Sequence, residues 1–168
     1  AYKKNQENLK NRAITMQIIT YILASIISYF GLLAGIILVK MAPEEQKPGK
    51  KYFILIKKMI FFLIIAFLLA YHRLNLIFSL FLLLFLFVLM LTEKMKLKKS
   101  ALAYFFLGIV FFISSKMTGL FIIESVLVFL YGIPAASLIF NIKKKNHKDI
   151  FIKNALFFIP IILLFLLF

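Results

Sequence analysis

Long apolar runs separated by short polar blocks set the pattern of this chain. Six runs stand out, over 14–39, 52–71, 74–92, 101–115, 119–140 and 150–168. About 20 residues are needed to cross a 30 Å hydrocarbon core at about 1.5 Å per residue, and five of the six runs come near that length. The run over 101–115 is short, so it must draw in the polar residues before it or sit where the bilayer is thin. No run alternates apolar and polar residues in the manner of a barrel strand, so the pattern predicts helices throughout. The first run is too long for the apolar part of a secretory signal, and no small-residue cleavage site follows it.

The links between runs alternate in character. Long basic links cover 40–51, 93–100 and 141–149, whereas the turns around His72-Arg73 and Lys116 take two or three residues. This predicts an all-α polytopic integral membrane protein with about six transmembrane helices arranged as three hairpins. A polar basic tail over 1–13 precedes a single transmembrane domain over 14–168. Composition agrees: 64% of the 168 residues are hydrophobic and 16% charged, against about 45–50% and 25% in soluble domains. The net charge of +15 would suit a nucleic-acid partner in a soluble protein, but cations placed between apolar runs set membrane orientation instead. Fifteen of the 21 Lys and Arg flank the long links, which puts those links in the cytoplasm, against anionic headgroups of the cell membrane, with both termini outside. Four cations in the N-terminal tail, Lys3, Lys4, Lys10 and Arg12, pull the other way. A first run that enters without crossing would leave five crossings and a cytoplasmic N-terminus.

Little catalytic chemistry is present. With no Cys, disulfides, thiolate catalysis and Cys-ligated metals are excluded. No P-loop or dinucleotide glycine pattern occurs, and His72 and His147 fall on opposite sides of the predicted bundle, so the sequence indicates no cofactor, no metal and no catalytic set. Trp is absent as well, which leaves an interfacial aromatic belt to Tyr21, Tyr52, Tyr71, Tyr104 and Tyr131. Two features are more pointed. Ala24, Ser28, Gly31 and Gly35 step by three or four along the first run and share one helix face, where small residues let another backbone come close. That face predicts either packing within the chain or docking of another subunit. Glu124 is the one acid inside an apolar run. A charge there costs on the order of 3 kcal/mol even on lenient insertion scales, so it should face the bundle interior and find a partner. Six crossings bring His72, Arg73, Asn75, Ser114, Ser115 and Lys116 to the same surface, with Arg73 and Lys116 as candidate partners. A structural ion pair, a polar cavity for a solute, proton or lipid headgroup, and an acid–base pair of Glu124 with His72 all fit this placement. Pro134 and Pro160 should kink the fifth and sixth helices.

The first long link reads Met41-Ala42-Pro43-Glu44-Glu45-Gln46-Lys47-Pro48-Gly49-Lys50-Lys51-Tyr52-Phe53. Pro43 with two acids behind it suits the first turn of a short helix, and Pro48-Gly49 suits a turn that ends it. The Ala-Pro-Glu-Glu run, the Pro-Gly pair and the aromatic pair together resemble a loop of small uncharacterised multi-pass membrane proteins of archaea. The segment Tyr131-Gly132-Ile133-Pro134 fits the same pattern, and the resemblance implies no activity. In architecture, six helices with a small-residue face on the first are similar to the substrate-binding components of energy-coupling-factor vitamin transporters. There the resemblance implies docking of a transmembrane partner through that face. This chain differs from them in having few polar residues and no Trp for an external pocket. The sequence therefore points first to a non-catalytic accessory or scaffold subunit of a larger membrane complex, or a self-associating protein. The alternatives are a solute- or lipid-binding transport component centred on Glu124, and an intramembrane enzyme.

Overall fold

A computed structural model describes residues 17–72, 77, 82, 84, 100–140 and 147–167. Among these residues every regular element is helical. Helix α1 covers Gln17–Met41. It carries one irregularity, at Phe30, whose N–H is shared between the carbonyls of Ile26 and Ile27. Helix α2 covers Pro43–Tyr71, opening with a 3₁₀ turn over Pro43–Glu45. Helices α3, Ser100–Ser114, and α4, Thr118–Ile139, follow. The chain ends in α5, His147–Asn154, a 3₁₀ turn over Ala155–Phe157 and α6, Phe158–Leu167.

Among the described residues three helices, α1, α2 and α4, are long and apolar enough to cross a membrane, fewer than the six expected. The 15 residues of α3 reach only about 22 Å. The last apolar run is broken into pieces of eight and ten residues. The break has a local cause: Pro160 has no N–H to give the carbonyl of Leu156 and its ring crowds that turn, so the helix is interrupted just before it. The run over 74–92 lies almost entirely outside the described residues. Pro134, by contrast, sits inside a single unbroken helix.

The first basic link is also shorter than expected. Only Ala42 separates α1 from α2, and Pro48-Gly49 lies inside α2 instead of ending a helix. Pro48 is the third residue of the α-helical stretch Gln46–Tyr71, in the first turn, where backbone N–H groups have no intrahelical acceptor and a missing one costs little. Gln46 then ties this corner to the far end of α4. Its Nε2 donates to the carbonyls of Ser137 at 2.9 Å and Phe140 at 2.7 Å, covering acceptors that a helix C-terminus leaves open.

Long-range bonds fix the relative directions. Ser28 bonds the Ser125 carbonyl and Ser137 bonds the Gly35 carbonyl, so α1 and α4 run parallel. Gln46 lies by Ser137, Lys57 by Tyr131 and Tyr71 by Gly119, so α2 runs antiparallel to α4. Tyr29 donates to Phe151 and Tyr21 to Ile161, which makes α5–α6 antiparallel to α1. Ser100 meets Asn154 and Gly108 meets Phe157 and Pro160, so α3 runs with α5–α6.

Packing between α1 and α4 is a backbone approach. A Cβ on Gly31 would collide with the carbonyl oxygen of Phe129, and one on Gly35 with that of Ile133. From the other side, a Cβ on Gly132 would lie 2.6 Å from the carbonyl carbon of Gly31. Apolar tails give helices no hydrophobic reason to associate, so van der Waals contact of this closeness is a main source of packing energy in a bilayer. Around this spine lie Leu32, Ile64, Leu107, Phe111, Val128 and Phe157, all fully buried. The tyrosines correct the belt expectation. Tyr21, Tyr104 and Tyr131 are core residues, and of the five only Tyr52 and Tyr71 are exposed.

Candidate functional site

Leu120, Glu124, Val128, Tyr131 and Ala135 are buried along α4. Their steps of four, four, three and four residues place them on one face of the helix. Glu124 is thus turned inward by the same periodicity that buries its apolar neighbours, and its exposure is 0%. Neither carboxylate oxygen has a hydrogen-bond partner among the described residues. The hydroxyls closest in sequence and across the α1–α4 contact are engaged elsewhere: Ser28 donates to the Ser125 carbonyl at 2.9 Å and Ser125 to the Phe121 carbonyl at 2.7 Å. Among the described residues, an acid predicted to find a partner is therefore buried without one.

The expected ion pair with Lys116 does not form. Lys116 is exposed, with its ammonium 5.6 Å from the Phe112 ring centre, and it lies in the turn before α4, in which Glu124 sits six residues, about 9 Å, beyond Thr118. Ser114 and Ser115 turn back onto their own helix, donating to the carbonyls of Phe111 and Phe112. Arg73 and Asn75 lie outside the described residues. His72 caps α2, its backbone N–H bonded to Leu68, while its Nε2 is buried without a partner. The end of α2 meets the start of α4, where a Cβ on Gly119 would lie 3.3 Å from the Tyr71 hydroxyl. His72 and Glu124 accordingly share one end of the α2–α4 seam, with Glu124 five residues, or about 7.5 Å, in from Gly119.

The small-residue face of α1 is engaged within the chain. Ser28 bonds α4, Gly31 and Gly35 meet its backbone, and Ala24 is partly buried against the core. A partner subunit has no room on that face.

Two features escaped the reading of the sequence. A cavity of about 700 Å³ lies between the start of α3, the end of α4 and α5, lined by Ser100, Phe105, Ile139, Asp149, Lys153 and Asn154 among others. Lys57, Tyr104 and Tyr131 form a second buried polar cluster. Its signal in the sequence is a lysine pair, Lys57-Lys58, set inside the apolar run over 52–71. No group of three His, Asp or Glu side chains comes together among the described residues. No protein family, curated protein or solved structure matches the chain.

Proposed function

We propose that this chain is a non-catalytic multi-pass protein of the cell membrane that works in transport, binding a cationic group at Glu124. One observation carries the reading: a fully buried carboxylate inside a long apolar helix, with both oxygens unpartnered among the described residues. Ionisable groups at such depth are costly and mark solute, ion or proton paths. A cationic guest supplies the missing partner. His72, with its own unpartnered nitrogen at the same end of the seam, is the first polar group on the way in. The long basic links lie in the cytoplasm on this reading, and Glu124 is reached from outside.

The test is purification of the tagged protein in mild detergent followed by intact-complex mass spectrometry of wild type and Glu124→Gln. A small bound cation on wild type that is lost from Glu124→Gln supports the reading. Identical spectra with no bound species on either sink it.

A subunit role is the second reading, and α2 favours it. Only 11% of its most apolar window is buried, against 44% for α1 and for α4. A defined heteromer in the same spectra moves the assignment to this role, with α2 and not the small-residue face of α1 as the docking element.

A further inference from the structure

Four helices bring one polar cluster to the centre of the bundle: α1 contributes Tyr29, α2 Lys57, α3 Tyr104 and α4 Tyr131. The Lys57 ammonium lies 5.9 Å from the Tyr131 ring centre. Tyr131 meets Tyr104 edge-on at 5.7 Å, and Tyr104 meets Tyr29 edge-on at 6.1 Å. Tyr29 donates its hydroxyl to the Phe151 carbonyl. The hydroxyls of Tyr104 and Tyr131 have no partner among the described residues, although both residues are at most 1% exposed. Lys57 is itself only 8% exposed, and no acid pairs with it among the described residues. Glu124 lies seven residues from Tyr131 on α4, about 10 Å away along the axis.

The hydrogen-bonding inventory of this cluster is lopsided. An ammonium offers three donors and no acceptor, and each phenol offers one donor. Each phenol oxygen can also accept, but neither takes a hydrogen bond from a described residue, so the donors of the cluster outnumber its acceptors and none of them is matched. Burying polar groups without a compensating partner is costly, and the two phenol hydroxyls are buried in that way beside a lysine that is itself largely buried. We propose that Lys57, Tyr104 and Tyr131 form a binding site for an anionic acceptor group, a carboxylate or a phosphate, separate from the Glu124 site. Tyr104 is four residues from the start of α3, about 6 Å, and Tyr131 eight residues from the end of α4, about 12 Å. The site is therefore within reach of the bilayer surface on that side, so a lipid headgroup and a soluble anion offer the same chemistry.

The experiment separates these two sources. Delipidated protein in neutral detergent is titrated with inorganic phosphate and with acetate, each against chloride at equal ionic strength. In parallel, nanodiscs of phosphatidic acid are compared with nanodiscs of phosphatidylcholine. Thermal unfolding is followed by tyrosine fluorescence, which no Trp obscures in this chain. A saturable rise in Tm with phosphate or acetate identifies a soluble anion, and a rise in the phosphatidic acid nanodiscs alone identifies a headgroup. In either case Lys57→Met should weaken binding tenfold or more and Tyr131→Phe several-fold, with Lys51→Gln on the exposed part of α2 unchanged. Without ligand, Tyr131→Phe should be no less stable than wild type, since it only deletes an unpartnered hydroxyl. If Lys57→Met fails to fold, Tyr131→Phe decides alone. The proposal is overturned if neither arm gives a saturable shift, or if Tyr131→Phe and the folded Lys57→Met bind as tightly as wild type.

Discussion

Gly31→Ala tests the α1–α4 spine most directly. The added Cβ would fall on the carbonyl oxygen of Phe129, a backbone atom that no side-chain rotation can move aside. The helices must part, and overpacking of this kind costs about 1–3 kcal/mol. Parting them also stretches the Ser28–Ser125 and Ser137–Gly35 bonds, each worth about 0.6 kcal/mol in a bilayer. Against this, Ala gains about 1 kcal/mol over Gly in helix propensity. The net expectation is a loss of about 1–3 kcal/mol. Gly49→Ala is the matched control: it gains the same propensity, and its Cβ meets only the ring of Phe53, at 3.2 Å, the movable end of a side chain. Unfolding by titration with sodium dodecyl sulfate, followed by tyrosine fluorescence, should place Gly31→Ala below wild type and Gly49→Ala at or above it. Equal stabilities for the two variants would mean that α1 and α4 do not touch through Gly31, and the parallel arrangement would fall with that contact.

Two further perturbations have defined signs. Gln46→Ala removes both bonds to the carbonyls of Ser137 and Phe140, at about 1 kcal/mol each; hydrogen exchange at the start of α2 should quicken, and unchanged exchange there would refute the tether. Glu124→Leu replaces an unpartnered buried acid by an apolar side chain, which should raise the stability of the ligand-free protein by about 2–3 kcal/mol; a destabilised variant would show that the carboxylate has a structural partner after all.

Run length was a good guide to helices and a poor guide to crossings. It located α1, α2 and α4 because their apolar stretches exceed the bilayer thickness, and it overreached at 150–168, where the consequence of Pro160 for helix continuity outweighs composition. Pro48-Gly49 was misplaced for a related reason: a proline in a first turn and a proline in a loop look alike until the helix start is known. The spacing of Ala24, Ser28, Gly31 and Gly35 showed that a backbone would come close. It could not show that the backbone was α4, because the matching Gly132 and Ser137 sit in a stretch read mainly for its proline. Glu124 was legible as buried, since a lone acid within an apolar helix has nowhere else to go. That Lys116 would not pair with it was not, because the pairing depends on how a side chain near the α3–α4 turn is directed. Tyr104 and Tyr131 were hidden by chemistry that suits an interface and a core equally well.

The parallel course of α1 and α4 bears on the conflict in the charge distribution. Gln17 and Thr118 begin these two helices, so whatever side of a membrane holds the α3–α4 turn also holds the start of α1. Ala42, at the α1–α2 corner, falls at the other end. The chain has no Cys, so single cysteines report position without background. In sealed vesicles, a membrane-impermeant maleimide should label Gln17→Cys and Lys116→Cys from one side and Ala42→Cys from the other. That result would put Lys116 on the side facing away from Lys40, Lys47, Lys50 and Lys51, as expected if the larger set of cations decides orientation. If Gln17→Cys is instead labelled together with Ala42→Cys, α1 enters the membrane without crossing it, and its tail joins the majority of the positive charge.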